Sequence, residues 1–187
     1  MPATDALKAE AGAPIIVVSG TQGAGKTTVA RLLAARFDRG AHVEADVLQK
    51  MIVSGRRWPE QRAMSEEAVR QLRLRLHNMC LLGKVFADAG YAAVLDDIVT
   101  GSRVDDLLEE LAGRPFVFVM LQPDHEAVIE RERGRGTRLY EEWAWLEDEI
   151  ERATKRIGLW VDSSAQTAEE TVAEIIARYE REGVVQA

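Results

Sequence analysis

The sequence predicts an α/β protein in which helices cover both faces of a mainly parallel sheet, a three-layer α/β/α arrangement. Three observations predict this fold. Apolar segments of strand length alternate along the chain with longer segments of helical periodicity. The strand-like segments are almost continuously apolar, as burial on both faces of a sheet requires. A glycine-rich turn joins the first strand-like segment to the helix-like segment behind it.

Composition favours one domain with a full core. The chain has 187 residues, of which 47% are hydrophobic. Residues 1–13 lack the apolar run of a signal peptide, so we expect a flexible tail followed by a single domain from 14 to 187. The net charge of −7 argues against broad binding to nucleic acid or to an anionic membrane. No apolar run would span a bilayer, and Cys80 is the single cysteine, which together favour a reducing cytoplasm.

The elements follow from the same patterns in chain order. Five strands are predicted, at residues 14–18, 41–45, 91–96, 115–121 and 159–162. A long amphipathic helix is predicted over 65–90, where it ends at Gly90. Three later helices carry capping residues at their starts: Ser102, Asp124, and Thr167, which forms a capping box with Glu170.

The turn after the first strand reads GTQGAGKTT and fits the P-loop pattern G-x-x-x-x-G-K-[ST]. Its glycines allow successive backbone N–H groups to approach phosphate oxygens beside a helix N-terminus. In this pattern Lys26 reaches the β- and γ-phosphates and the Thr27 hydroxyl binds Mg²⁺. The predicted nucleotide site comprises Gly20, Thr21, Gln22, Gly23, Ala24, Gly25, Lys26, Thr27 and Thr28. The alternative, a glycine-rich turn with an incidental lysine, is disfavoured by the strand before it and the helix after it.

Carboxylates follow the second strand, which reads AHVEAD. Glu44 and Asp46 lie where a parallel sheet presents side chains at its carboxyl edge, the edge at which such folds bind ligands. We predict that Asp46 contacts the substrate and accepts the proton of a substrate hydroxyl, and Glu44 is a weaker candidate. The alternative is that Asp46 caps a helix beginning at Val47.

Two further carboxylates end the third strand, in the sequence AAVLDDIV. We predict Asp96 as a ligand of Mg²⁺ and Asp97 as a contact to the acceptor. Because side chains alternate along an extended segment, the two carboxylates point in different directions, but the alternation does not by itself assign the two roles. Solvation of a loop would explain either carboxylate taken singly.

Arginines and glycines alternate in the segment ERERGRGTR. We predict a mobile lid over about residues 131–139 that closes on the triphosphate and expels water. Arg131 and Arg133 are predicted to bind the nucleotide, and Arg135 and Arg138 to be catalytic by neutralising developing charge. The alternative is a solvated run of charges, which Glu130 and Glu132 make plausible.

Two loops carry weaker signals. Ser163, in the segment VDSSAQ, is predicted to bond an adenine edge, although a simple strand-to-helix turn explains the segment about as well. Arg56, beside Arg57 and Trp58, is predicted to bind an anionic or aromatic acceptor, with an exposed loop as the equal alternative. His77 is expected on a helix surface.

The order of these segments resembles chloramphenicol phosphotransferase and the related small-molecule P-loop kinases over roughly residues 14–180. The P-loop, the strand ending in VEAD and three phrases carry the resemblance: ADAGYAAVLDDIV, QPDHEAVIERERGRGTR and VDSSAQTAEETVAEI. The resemblance implies a five-stranded parallel sheet in the order 2-3-1-4-5. It places Asp46 at the family's catalytic aspartate, Lys26 and Thr27 at its phosphate and Mg²⁺ positions, and Arg133, Arg135 and Arg138 in its lid. The stretch between strands two and three differs from the antibiotic-binding stretch of that family.

These observations predict a kinase that uses ATP and Mg²⁺ to phosphorylate a hydroxyl of a small molecule, such as an antibiotic or a metabolite. One alternative is a nucleotide or polynucleotide-end kinase, which would need a basic groove that the overall acidity disfavours. The other is a nucleotide-dependent switch, which would turn over without an acceptor and would not need Asp46 as a base. No guanine-reading N-K-x-D motif is present, which disfavours a GTP switch. The sequence assigns neither the acceptor nor the oligomeric state.

Overall fold

The computed structural model describes residue 7 and residues 13–59, 64–135, 143 and 145–186. Within these residues a central sheet contains five parallel strands in the order β2-β3-β1-β4-β5, and this confirms the predicted order. A sixth strand pairs antiparallel with β4. It was not predicted, because two residues are too few to show a period. The strands are β1 (Ile15–Gly20), β2 (Gly40–Glu44), β3 (Ala92–Asp96), β4 (Phe116–Leu121), β5 (Leu159–Val161) and β6 (Val184–Val185).

Helices cover both faces of this sheet. They are α1 (Lys26–Ala34), α2 (Ala45–Lys50), α3 (Glu66–Asp88), α4 (Arg103–Glu110), α5 (His125–Arg135), α6 (Trp145–Ala153) and α7 (Ala168–Arg178). Alternate residues of β1 divide between two cores. Ile16 and Val18 pack with residues of α1 and α7, while Ile15 and Val17 pack with residues of α3 and α4. The predicted three-layer fold is therefore confirmed.

Local capping signals agree with most of the predicted helix starts. The Thr167 hydroxyl accepts from the Glu170 N–H, and the Glu170 carboxylate accepts from the Thr167 N–H, which completes the predicted capping box. Asp124 accepts from the N–H of Ala127 at 2.8 Å, as its place before α5 predicts. Ser102 stands at the N-cap position of α4, but its side chain makes no capping hydrogen bond.

The long predicted helix is α3, whose buried face lies against the sheet. Cys80 is buried on this face, and burial raises the pKa of its thiol to about 12, so it behaves as a small apolar core residue. His77 lies on the exposed side of α3, where its Nδ1 is 3.0 Å from a carboxylate oxygen of Glu110. Among the described residues, no helix has the length and apolar character needed to cross a bilayer.

The register of the strands brings the predicted site residues to one edge. Glu44 of β2 and Val18 of β1 both lie beside Asp96 of β3. The P-loop leaves the sheet two residues after Val18. The carboxyl ends of three neighbouring strands therefore meet at the turn that carries the glycines.

Candidate active site

The P-loop fits tightly against the sheet and opens in front of α1. A Cβ atom on Gly20 would lie 2.5 Å from the carbonyl oxygen of Leu121, so only glycine fits between β1 and β4 at this point. Gly25 has a φ of 91°, which favours glycine, and a Cβ atom there would meet nothing within 4 Å. The backbone before Lys26 thus faces open space at a helix N-terminus, the arrangement that suits a phosphate group. The nine predicted nucleotide-site residues, Gly20 to Thr28, all lie between the end of β1 and the first turn of α1.

Lys26 is the first residue of α1 and is half-buried. Its Nζ donates to the carbonyl oxygen of Thr21 at 2.8 Å. Burial lowers the pKa of Lys26 to about 8, although the neighbouring Asp96, Asp97 and Asp46 oppose this shift. The cost of desolvating the ammonium group outweighs its attraction to the three carboxylates. An anionic partner in direct contact would therefore stabilise the charge more than the Thr21 carbonyl does.

Thr27 and Asp96 form the second part of the site. The Thr27 hydroxyl donates to Asp96 Oδ2 at 2.7 Å, and His42 Nε2 lies 2.6 Å from Asp96 Oδ1. A hydroxyl and a buried carboxylate side by side offer the oxygen ligands that Mg²⁺ prefers. No group of three or more metal-binding side chains occurs in the part of the chain that the structure describes. Mg²⁺ in proteins usually takes one or two side-chain ligands and completes its shell with water and phosphate oxygens.

A buried arginine on α3 connects two of the predicted aspartates. The Arg75 side chain is only 5% exposed. One of its nitrogens lies 3.3 Å from Asp46 Oδ1, and another donates to Asp97 Oδ1. The second oxygen of Asp97 accepts from Arg103 at 2.8 Å. Arg75 and Arg103 thus form a continuous charged network with Asp97 that ends at Asp46.

The structure places Asp97 differently from the predicted contact with an acceptor. Its side chain is 2% exposed, and Oδ1 also accepts from the N–H of Ile98 at 2.8 Å. Burial alone would raise the pKa of Asp97, but Arg103 and Arg75 lower it below its usual range. Because β3 alternates, Asp96 turns to the P-loop while Asp97 turns to α3 and α4. Asp97 therefore holds Arg75 in place, and both of its oxygens are occupied.

Asp46 lies in the first turn of α2, and its side chain is 57% exposed although its partner Arg75 is buried. The N-cap residue of α2 is Glu44, and no side-chain capping bond is present. The alternative in which Asp46 caps a helix beginning at Val47 is therefore wrong. A carboxylate fixed on one side by a buried guanidinium and open on the other can receive the hydroxyl group of a bound molecule.

The loop after α2 is held by two buried glutamines, Gln49 and Gln71. Gln49 Nε2 donates to the carbonyl of Arg57 at 2.7 Å, and Gln71 Nε2 donates to that of Gly55 at 2.9 Å. Arg56 itself is exposed; it donates to the carbonyl of Lys50 at 3.2 Å and lies over the ring of Trp58. The structure thus places Arg56 on a shaped surface loop, and its predicted contact with an acceptor stays a prediction.

Arg131 joins the P-loop to the loop after β5. Its guanidinium lies 3.4 Å from the carbonyl oxygens of both Ala24 and Gln166, and it also donates to the carbonyl of Ser163. The Ser163 side chain is buried, and its hydroxyl oxygen has no hydrogen-bond partner among the described residues. Arg131 thus fixes two loops that border the P-loop, and the predicted nucleotide contacts of Arg131 and Ser163 stay predictions.

The predicted lid falls only partly within the described residues. Arg133 is exposed on α5, and Gly134 belongs to the same helix. The side chain of Arg135 and the whole of Arg138 lie outside the described part of the chain.

Comparison with known families adds a result for nearly the whole chain. The model of a family described as chloramphenicol phosphotransferase-like protein matches residues 13–180. We found no match among curated proteins.

Solved structures share the fold at low sequence identity. A sugar kinase from Janibacter sp. HTCC2649 has a TM-score of 0.64 and 20% identity, over 88% of this chain and 93% of the other. A gluconokinase from Sinorhizobium meliloti 1021 has a TM-score of 0.64 and 21% identity, over 92% of this chain and 94% of the other. The APS kinase of Mycobacterium tuberculosis, in complex with AMPPNP and APS, has a TM-score of 0.64 and 18% identity, over 90% of this chain and 98% of the other. These similarities show the fold alone.

Proposed function

This chain belongs to the chloramphenicol phosphotransferase-like family of P-loop kinases, and we propose that it transfers the γ-phosphoryl group of ATP to a hydroxyl group of a small molecule with the help of Mg²⁺. One observation carries the proposal. Asp46 presents an open carboxylate at the same edge of the sheet as Lys26, close enough to act on the pKa of that lysine, and the buried Arg75 fixes it there. A switch protein would have no use for a base held in this way.

The residues of the P-loop and of β3 suit a nucleotide with a metal ion. The backbone around Gly25 would bind the phosphates, and the Lys26 ammonium would donate to the β- and γ-phosphate oxygens. Thr27 and Asp96, already 2.7 Å apart, would hold Mg²⁺. Bound Mg²⁺ supplies positive charge that offsets the charge on the transferred group.

Asp46 would act on the acceptor. Its carboxylate would accept the hydroxyl proton as the acceptor oxygen bonds to phosphorus and the bond to the β-phosphate oxygen breaks, with ADP as the leaving group. Arg75 keeps the carboxylate in one orientation because Asp97 and Arg103 hold Arg75 itself. Arg133, Arg135 and Arg138 are proposed, from the sequence, to close over the triphosphate and exclude water.

A panel of alcohols, sugars, nucleosides and hydroxylated antibiotics tests this function and searches for the acceptor. We expect at least one member to stimulate ADP release in the presence of Mg²⁺, and omission of Mg²⁺ to remove the stimulation. ATP turnover that no member of the panel changes would instead favour the switch.

Binding of Mg²⁺ and ATP should be coupled to proton uptake above pH 8. In the free protein the pKa of Lys26 is lowered to about 8, and triphosphate oxygens beside the ammonium would raise it again. Below pH 8, Lys26 is already charged before the nucleotide binds. Above pH 8, Lys26 is mostly neutral and must take up a proton when the nucleotide binds. We expect affinity to fall by up to about tenfold per pH unit above that value. Calorimetry in buffers of different ionisation enthalpy measures the uptake directly.

The matched control for this titration is Lys26→Arg, whose guanidinium stays charged throughout the range. The variant should bind without the extra proton uptake. Equal uptake by the variant and the natural protein would assign the proton to another group and contradict the role given to Lys26.

Loss of Arg75 should lower both stability and transfer. Arg75→Met keeps the length of the side chain but leaves Asp97 with one of its two guanidinium partners in a buried site. Breaking a buried pair in this way costs on the order of 3–5 kcal/mol. We expect that decrease in the free energy of unfolding, together with a lower acceptor-dependent rate because Asp46 loses its orienting partner. Denaturant unfolding and steady-state kinetics measure the two effects.

Arg73→Met is the matched control on the same helix. Arg73 is 69% exposed and lies 3.6 Å from Asp106, so its pair should contribute less than about 1 kcal/mol. Equal losses of stability in the two variants would contradict the buried network as the distinguishing feature.

A further inference from the structure

One line along the exposed side of α3 is apolar. Leu74 and Leu81 are each 48% exposed, and Val85 is 57% exposed. The opposite side of the helix is buried against the core. An outer helix face normally carries polar residues, because nothing removes it from water. Three large apolar side chains aligned on an exposed line of a helix indicate a surface that another protein covers.

These residues have the spacing of a helix that pairs with another helix. With Asn78 they occupy positions four, three and four apart, the a and d positions of a heptad repeat. We call Leu74, Asn78, Leu81 and Val85 the α3 stripe. An antiparallel pair of α3 helices, related by a two-fold axis between positions 79 and 80, would place Leu74 of one copy opposite Val85 of the other. Asn78 would then face Leu81 of the second copy.

Opposite charges flank the α3 stripe. Arg70 and Asp88 are 18 residues apart, which is five turns at 3.6 residues per turn, so they lie along the same edge of the helix. Both side chains are mostly exposed, and their partners within the chain are the surface residues Glu67 and Arg114. In the antiparallel pair, Arg70 of each copy lies near Asp88 of the other. In a parallel pair the two edges would lie on opposite sides of the seam, and these contacts between Arg70 and Asp88 would not form.

We propose that the α3 stripe is the interface of a homodimer in which two α3 helices pack antiparallel about a two-fold axis. The same surface on both copies is self-complementary, as a two-fold interface requires. A helix of 23 residues is about 35 Å long, so one helix pair buries less than the roughly 800 Å² per partner of a standard interface. The dimer should therefore dissociate on dilution. This proposal does not depend on phosphoryl transfer.

Sedimentation velocity of the full chain over a wide range of concentrations tests the interface. We expect the natural protein to shift from monomer to dimer as its concentration rises, and the Leu74→Glu, Leu81→Glu double variant to stay monomeric. Both leucines are exposed, so the variant should unfold at the same temperature as the natural protein. Val184→Glu, at a residue 45% exposed on β6, is the matched control and should leave the dimer unchanged.

A natural protein that stays monomeric at every concentration would overturn the proposal. Dimerisation that persists in the double variant would overturn it equally, because the α3 stripe would then not be the interface. Should the double variant unfold early, Leu74→Ala with Leu81→Ala removes most of the apolar surface without adding charge and is expected to weaken the dimer in the same direction.

Two charge reversals test the antiparallel arrangement. Arg70→Asp places two acidic pairs across its own interface, and Asp88→Arg places two basic pairs there, so each variant should self-associate more weakly than the natural protein. When the two variants are mixed, both contacts become attractive and association should return. A mixture that associates no better than the separate variants would overturn the antiparallel register.

Discussion

Lys26→Ala should reduce phosphoryl transfer by at least about 10²–10³-fold, the usual effect of removing one preorganised donor from a transition state. The protein should remain folded, because within the described residues the ammonium bonds a single backbone carbonyl, that of Thr21. Burial lowers the pKa of Lys26 to about 8, so at neutral pH the charge costs the folded state stability rather than adding to it. The melting temperature should therefore be unchanged or higher.

Lys50→Ala provides the control, since Lys50 is an exposed lysine at the end of α2. It should keep the natural rate. A folded Lys26→Ala variant with the natural rate of transfer would rule out the P-loop mechanism.

Asp46→Asn should reduce the acceptor-dependent rate by about 10²–10⁴-fold, the range typical of general acid–base catalysis. The amide keeps the shape of the side chain and an oxygen that can face Arg75, but it cannot take the hydroxyl proton. Stability should change little, because Asp46 is exposed and Asp97 still holds Arg75. Steady-state kinetics with a saturating acceptor measures the loss.

Glu44→Gln is the matched control, two residues away at the end of β2. It removes a carboxylate from the same strand exit without touching the Arg75 network, and it should keep a rate close to that of the natural protein. If Asp46→Asn stays within about threefold of the natural rate, far short of the usual effect of a base, Asp46 does not act as one.

Local patterns were enough to predict the frame of this site. The apolar runs gave the five parallel strands, and the glycine spacing gave the turn that leads into Lys26. Burial and backbone conformation restrict the residue type at each position separately, so both can be predicted from a single sequence. The two-residue strand β6 could not be predicted in this way, because only its pairing with β4 defines it.

The residues that hold the site residues in place could not be predicted from local patterns. Arg75 lies between Leu72 and Leu76 of the buried helix face, and a charged residue at such a position is the one sequence signal that points to a buried partner. The identity of that partner depends on how α3 crosses β3, which no local pattern records. His42 and Arg103 were missed for the same reason, since each contacts an aspartate at the end of β3 only in the folded chain.

The roles of Asp96 and Asp97 illustrate the same limit. Alternation along the strand predicted that they point to opposite sides, and they do. It could not say which side holds the P-loop, because that depends on the hand of the crossover from β1 through α1. The tertiary structure decides that Asp96 meets Thr27 while Asp97 meets two arginines.

In the proposed reaction the phosphoryl group passes from the nucleotide held by the P-loop to a hydroxyl placed at Asp46. The most direct measurement of this transfer follows ATP labelled in the γ-phosphoryl group, incubated with the natural protein, Mg²⁺ and the acceptor found in the panel. The label should appear in a phosphate ester of the acceptor, in equal amount to the ADP formed, and it should be lost with Asp46→Asn. Label that appears only as inorganic phosphate, at a rate that the acceptor and Asp46→Asn leave unchanged, would contradict transfer to the acceptor.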